Sequence, residues 1–390
     1  MAEAAHAGSD ELAAYLALAR IPGIGPARLR TLLDAFGSAV GAQIAPAGAI
    51  AGLPGFGPAA ANAVRTAGRR GGDDILRELD RLGARVLLPW DGEFPPLLAE
   101  IAEPPAALFV WGDATLLARP AAAIVGSRDH TSYGATAARL LASGVARAAV
   151  VVSGMARGLD AVAHDAALEA GGSTVGVLGN GFGVIYPAAN RALYERVSRE
   201  GCLVTELPPG ERPRISTFPR RNRIIAGLAG VTVVVEAAVN SGALITADCA
   251  LEQGRSVLAV PGPITSPTSE GCNKLIQQGA KPALCVADIL EELGLQISTE
   301  RPELASGRPT PGPCPGASPN PTPPPDLTPL QRTLWDSLVL RPTHVDALVA
   351  GAQQSVGNVL TALTELELRG LVDQKPGMMF ELRDNGECRM

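Results

Sequence analysis

The chain has 390 residues, 46% hydrophobic and 18% charged, with a mean hydropathy of +0.17, which is enough to bury a core in roughly two or three domains and excludes disorder throughout. A formal net charge of −6 excludes a uniformly basic nucleic-acid binder, and no apolar run reaches the roughly 18–20 residues of a membrane span before Gly, Pro or Arg interrupts it. The N-terminus lacks the basic stretch of a secretory signal, and six cysteines without a Cys-x-x-Cys pair point to a reducing cytoplasm, with no metal or other cofactor expected.

Residues 1–85 read as a domain of short helices with an internal echo: Pro22-Gly23-Ile24-Gly25-Pro26 returns as Pro54-Gly55-Phe56-Gly57-Pro58, each before an Ala-rich helical stretch. A Gly-hydrophobe-Gly turn opening a helix is similar to the helix-hairpin-helix motif, whose exposed N–H groups can hold a phosphate. A bundle that packs against a neighbour or binds protein is the alternative, and a segment so poor in net positive charge favours it. Residues 86–118 are expected to be a connector. From Ala121 onward short apolar runs alternate with helical stretches. The strands are predicted at Ala121–Val125, Ala149–Val152, Thr174–Leu178, Leu203–Thr205, Val231–Glu236 and Val257–Val260. The helices are predicted at Ala135–Ala146, Leu159–Ala170, Arg191–Arg199, Asn222–Leu228 and Ala243–Gln253. Such alternation predicts an α/β, doubly wound parallel sheet over 119–298. Ten prolines in 301–326 mark an extended linker. In 327–385, Thr328 can cap a helix to Leu338. Helices over Val345–Ala350 and Ser355–Arg369 follow, and then a hairpin turning at Lys375-Pro376-Gly377. That is the outline of a winged helix, and Glu365 and Glu367 against Arg369 make its third helix a poor guest for a DNA groove.

Charge is unevenly spread. Residues 119–223 carry +5 while 1–118, 224–326 and 327–390 carry −4, −5 and −2, and Arg212, Arg214, Arg220, Arg221 and Arg223 crowd the end of the positive segment. A long anion would be drawn there. In a doubly wound sheet the loops beyond the carboxyl ends of the strands hold ligands. Those loops are Gly126-Ser127-Arg128, Ser153-Gly154-Met155-Ala156-Arg157-Gly158-Leu159-Asp160, Gly179-Asn180-Gly181-Phe182-Gly183 and Asn240-Ser241-Gly242. Glycines admit a close anion, helix N-termini offer N–H donors, and arginine grips a phosphate or stacks on a base. The third loop fails the dinucleotide pattern because Val184 replaces the last glycine, and no Walker A sequence is present. An anionic ligand at this edge is therefore expected, without a generic NAD or ATP site.

Ile124-Val125-Gly126-Ser127-Arg128, the Ser153–Asp160 loop with His164, Phe218-Pro219-Arg220-Arg221-Asn222-Arg223-Ile224-Ile225-Ala226 and Asn240-Ser241-Gly242-Ala243-Leu244-Ile245-Thr246-Ala247 resemble the DNA processing protein A (DprA/Smf) family. Val260-Pro261-Gly262 and Glu270-Gly271-Cys272-Asn273-Lys274-Leu275-Ile276 continue the match, which covers about 95–290. The resemblance implies a Rossmann-like core between an N-terminal helical (SAM/helix-hairpin-helix-like) domain and a C-terminal winged helix. It further implies a non-enzymatic, homodimeric protein that binds single-stranded DNA in natural transformation, protects it and helps load the RecA recombinase. The expected DNA-binding residues are Gly126, Ser127, Arg128, Gly154, Arg157, Gly158, Asn180, Gly181, Phe218, Arg220, Arg221, Asn222, Arg223, Asn240, Ser241 and Gly242. Arg128 and Arg157 would flank a pocket, with Phe218 and Arg220–Arg223 as a wall for a stacked base. Arg157 stands where other members often have Lys, so a point donor becomes a planar fork. The rival reading is an enzyme resembling nucleotide phosphoribohydrolases, with Asp160, His164 and Glu236 as its acid–base candidates. Those hydrolases' Pro-Gly-Gly-x-Gly-Thr signature is absent.

Overall fold

Short runs of Val, Ile and Ala, apolar on both sides, have few stable homes outside a sheet covered by helices on both faces. In the computed structural model they build one. The structure describes residues 2–68, 70–295, 327–340, 343–352, 354–375 and 378–382, in two compact units, Met1–Thr299 and Glu300–Met390. The strands of the first are β1 (Arg85–Leu87), β2 (Leu108–Gly112), β3 (Ala121–Val125), β4 (Val150–Ser153), β5 (Thr174–Val177), β6 (Cys202–Thr205), β7 (Val231–Val234), β8 (Ser256–Ala259) and β9 (Lys281–Pro282). They lie in the order β1-β2-β6-β5-β4-β3-β7-β8-β9. From β6 to β9 the pairing is parallel, with Ala122 facing Val151 on one side and Val231 on the other. The six strands expected from the sequence are present within two residues of their predicted ends.

Around the sheet run α1 (Ala2–Ala19), α2 (Pro26–Phe36), α3 (Ala39–Ile44), α4 (Ala47–Ala51), α5 (Pro58–Thr66), α6 (Arg70–Leu82), α7 (Pro96–Ala99), α8 (Ser132–Val145), α9 (Leu159–Glu169), α10 (Arg191–Glu200), α11 (Thr217–Gly227), α12 (Gly242–Glu252), α13 (Glu270–Gln277) and α14 (Val286–Glu292). The two-residue alternation of a strand divides the core. Ala121, Ala123 and Val125 pack with Ile224 of α11 and Ala247 of α12, while Ala122 and Ile124 pack with Leu141 of α8 and Ala163 of α9.

The expected connector is corrected. Residues 86–118 contribute β2, which pairs antiparallel with β6, and two of the three residues of β1, which pairs antiparallel with β2. Leu108, Phe109 and Val110 are buried there. The N-terminal helices join the same unit: Leu16, Leu29 and Ile50 belong to one apolar cluster with Phe109, Phe182 and Leu203, and the Tyr15 hydroxyl donates to Ala106 O at 2.7 Å. The repeated Pro-Gly-x-Gly-Pro segments do open α2 and α5, and they meet each other. Arg28 donates to Gly23 O at 2.9 Å and its guanidinium stands 6.0 Å from the Phe56 ring, so this cation is engaged within the bundle.

The second unit contains α15 (Pro329–Leu340), β10 (Thr343–His344), α16 (Val345–Ala352), α17 (Val356–Leu368), β11 (Val372–Lys375) and β12 (Met379–Leu382), with the strands ordered β10-β12-β11. Thr328 and Gln331 close a capping box at α15, each backbone N–H meeting the other's side chain at 3.0 and 3.3 Å. Leu334, Leu363, Leu366 and Phe380 form its core. This is the expected winged-helix outline, while the linker 301–326 and the hairpin residues Pro376 and Gly377 lie outside the described residues.

Candidate nucleic-acid interface

Strand order reverses between β3 and β7, so the chain leaves these neighbours in opposite directions and opens a crevice at their carboxyl ends. The loops after β3, β4, β5 and β7 meet there. The loop after β4 makes a sharp inversion. Met155 is left-handed at φ 55° and Gly158 at φ 89°, and a Cβ on Gly158 would stand 2.4 Å from Ser127 O. Only glycine fits, and the Leu159 N–H then reaches Ser127 O at 3.1 Å, tying this loop to the one after β3. The Asn190 amide donates to Met155 O and Ala156 O, both at 3.1 Å.

Beneath this loop lies Arg221. It is buried, and its Nη1 donates to Gly154 O and, at 2.5 Å, to Val177 O, joining the ends of β4 and β5. Asp160, buried at the start of α9, is its counter-charge and accepts from the Ala156 N–H at 3.4 Å. Burial pushes the Arg221 guanidinium down to about 10, against the pull of Asp160 and with a further push from the Arg128 cation; it stays charged at neutral pH. Burial likewise raises the Asp160 carboxyl, against Arg221. Among the described residues the Nε of Arg221 has no partner.

Above that floor two hollows adjoin. One, of about 270 Å³, is lined by Arg128, Gly154, Arg157, Asn180, Tyr186 and Phe218, with Arg221 below. The other, of about 500 Å³, shares Arg128, Tyr186, Phe218 and Arg221 and extends past Gly126, Asn222 and Ile215 to Ser241 and Gly242 at the start of α12. The Arg128 guanidinium sits 5.8 Å from the Phe218 ring centroid, and Tyr186 lies 5.5 Å away on a tilted plane. Three arginines and two aromatic rings therefore border one continuous surface that suits an anion carrying flat apolar groups.

The remaining expected residues have other duties. Ser127 exchanges hydrogen bonds with the Asp129 backbone at 3.0 and 3.1 Å. Gly158 shapes the inversion, and Gly181 packs where any Cβ would strike Pro208 O. Arg223 pairs with Glu206 and donates to Glu103 O at 2.7 Å, and Arg220 is exposed, 4.0 Å from the same Glu206. Asn240 is exposed outside both hollows. The expected wall of Arg220–Arg223 is thus corrected: only Arg221 and Asn222 face the crevice. Sequence reasoning did not find Tyr186, Asn190 or Ile215; the Tyr186-Pro187 step after the glycine loop was the available signal for the first.

The enzyme candidates do not form an acid–base group. His164 is wholly buried with Nδ1 2.7 Å from Thr174 Oγ1, and burial, with Arg221 adding, lowers it to about 3. Glu236 is buried and accepts from Thr131 N and Oγ1 at 2.8 Å and from Thr268 Oγ1 at 2.6 Å. Among the described residues no helix is long and apolar enough to cross a membrane.

Residues 85–294 match the profile of the family described as DNA recombination-mediator protein A, and 318–378 match the DprA winged helix domain. The chain is 42% identical over 302 residues to protein Smf of Escherichia coli K12, covering 76% of this chain and 77% of that one. It is 34% identical over 407 residues to protein Smf of Synechocystis, covering 96% and 100% respectively. Its fold is similar to the X-ray structure of DNA processing protein A from Streptococcus pneumoniae, with TM-score 0.64 and 35% identity over 72% of this chain and 97% of that one. With the core and the winged helix both matched and the Synechocystis relative aligned along nearly the whole chain, the protein belongs to the DprA/Smf family of DNA recombination mediators.

Proposed function

We propose that the crevice holds a single strand of DNA, with Arg128 and Arg157 on backbone phosphates and a base against Phe218 and Tyr186. The observation that carries this reading is the surface where the cations and the two rings alternate within one pair of adjoining hollows. Backbone phosphate contact supplies affinity without sequence, and stacking adds roughly 1–3 kcal/mol per base. A base can reach the rings only when unstacked from a partner strand, which favours single strands over duplex. At the start of α12, Gly242 offers its N–H to a further phosphate at the far end, while the Ser241 N–H is donated to Ala238 O.

Membership of a recombination-mediator family supports a place in natural transformation. There the bound strand is protected and passed to a RecA-type recombinase by a homodimer, inside the cytoplasm. The chemistry is binding, and no bond in the DNA is broken. The test is oligo-dT and duplex affinity at several salt concentrations for the full chain, beside nuclease protection and recombinase loading. Equal affinity for both DNA forms, or unchanged oligo-dT affinity in Arg128→Ala and Arg157→Ala, overturns the assignment.

A further inference from the structure

Arg157, the cation at the mouth of the smaller hollow, already holds an anion of the protein's own. Its Nη2 lies 2.8 Å from Oδ1 of Asp129, one residue after Arg128. Asp129 does not hang on a loose loop. Its backbone N–H and C=O both bond to the Ser127 hydroxyl, and two residues on, Thr131 is pinned to the buried Glu236 through N and Oγ1 at 2.8 Å. The carboxylate is therefore presented to Arg157 by a fixed turn. Both partners are open to solvent, with 63% of the arginine side chain and 85% of the aspartate exposed. An ion pair so exposed holds weakly and is easily exchanged.

We propose that Asp129 is an internal stand-in for a DNA phosphate: it occupies Arg157 in the free protein and must be displaced when a strand enters. This rests on the reading of the crevice as a single-strand site and adds a residue that sets its affinity threshold. A phosphate that reaches Arg157 exchanges one carboxylate for another anion, so the contact is worth less than a bare arginine would give. A chain that engages Arg128, Arg157 and the start of α12 together overcomes that handicap through several simultaneous contacts, whereas a lone phosphate has one contact with which to do so. The displaced carboxylate stays within a few ångströms of the bound phosphate, where it cancels part of the field of Arg157 and reduces the number of counterions the DNA releases.

The test compares wild type, Asp129→Asn, Arg157→Ala and the double variant by anisotropy of labelled oligo-dT between about 50 mM and about 200 mM salt. Asp129→Asn is expected to tighten binding by about three- to tenfold at the lower salt, with a salt slope steeper by up to about 0.7. The double variant is expected to bind like Arg157→Ala alone, because the aspartate acts through that arginine. Unchanged or weaker binding by Asp129→Asn overturns the proposal, and so does an equal gain in the Arg157→Ala background, which would reduce the effect to general charge. If wild type and Asp129→Asn both fail to bind oligo-dT, the single-strand reading itself fails, and this inference with it.

Discussion

At the scale of single residues, Arg128 and Phe218 touch each other yet are separable by what they offer a strand. Arg128→Ala removes a phosphate partner, so oligo-dT affinity falls and the salt slope flattens by about 0.7. Phe218→Ala removes a stacking face, so affinity falls by about 1–3 kcal/mol per base with the slope unchanged. Anisotropy titrations across salt distinguish the two. Arg221 belongs to a different class, since it is buried between Gly154 O, Val177 O and Asp160. Arg221→Met leaves that carboxylate without its counter-charge and is expected to lower stability by about 3–5 kcal/mol in urea denaturation. Asp160→Asn in the same chain should restore part of the loss.

His164 adds a pH dependence. Its ring is held to about 3 in the fold against about 6.5 in the unfolded chain. Between those values the unfolded chain takes up a proton that the native one refuses. This contribution is therefore fully present above pH 6.5 and is lost progressively as pH falls toward 3. Asp160, raised by burial, slopes the opposite way. Urea midpoints between neutral and acid pH should fall less steeply in His164→Gln than in wild type.

At the scale of elements, α11 decides which members of the arginine-rich run reach the crevice. It begins at Thr217, five residues before the predicted start at Asn222, with Pro219 accommodated in its first turn. Residues three apart on a helix share a face, so Phe218 and Arg221 look into the hollows while Arg220 and Arg223 turn together toward Glu206. Read as a loop, the run offered every arginine to the ligand; read as a helix, it divides them. Arg223→Ala should therefore leave oligo-dT affinity within about twofold of wild type, and a loss as large as that of Arg128→Ala would contradict this division. The inversion before α9 is equally local in its demands. Gly158→Ala places a Cβ against Ser127 O in a left-handed backbone, at a cost of about 1–3 kcal/mol, and should weaken oligo-dT binding by misplacing Arg157.

At the scale of the whole molecule, the +5 of residues 119–223 within a chain of −6 includes Arg128, Arg157 and Arg221, the cations that border the crevice and draw an anion to it. The C-terminal unit does not share that charge. On α17, Glu365 accepts from Gln331 Nε2 of α15 at 2.7 Å, so this carboxylate is engaged within its own unit. Deleting 301–390 is accordingly expected to leave oligo-dT affinity within about twofold, since the phosphate contacts that dominate it stay in the core. A loss well beyond that in the truncated protein would move the DNA reader to the winged helix.

The sequence by itself determined the doubly wound sheet, because both-sided burial demands continuous apolar strands and right-handed crossovers supply the helices between them. It also located the loops at the strands' carboxyl ends, and with them Arg128, Arg157 and the glycine inversion. The edge pair β1 and β2 was not legible: two short strands among Pro and Trp carry no long period, and their pairing depends on β6, far along the chain. The fate of each arginine was hidden for the same reason. Arg221 is buried because carbonyls 67 and 44 residues away converge on it, and Arg223 is diverted because Glu206 and Glu103 O lie within reach. Charge is a property of the residue, but whether it faces a ligand is set by neighbours that only the folded chain assembles.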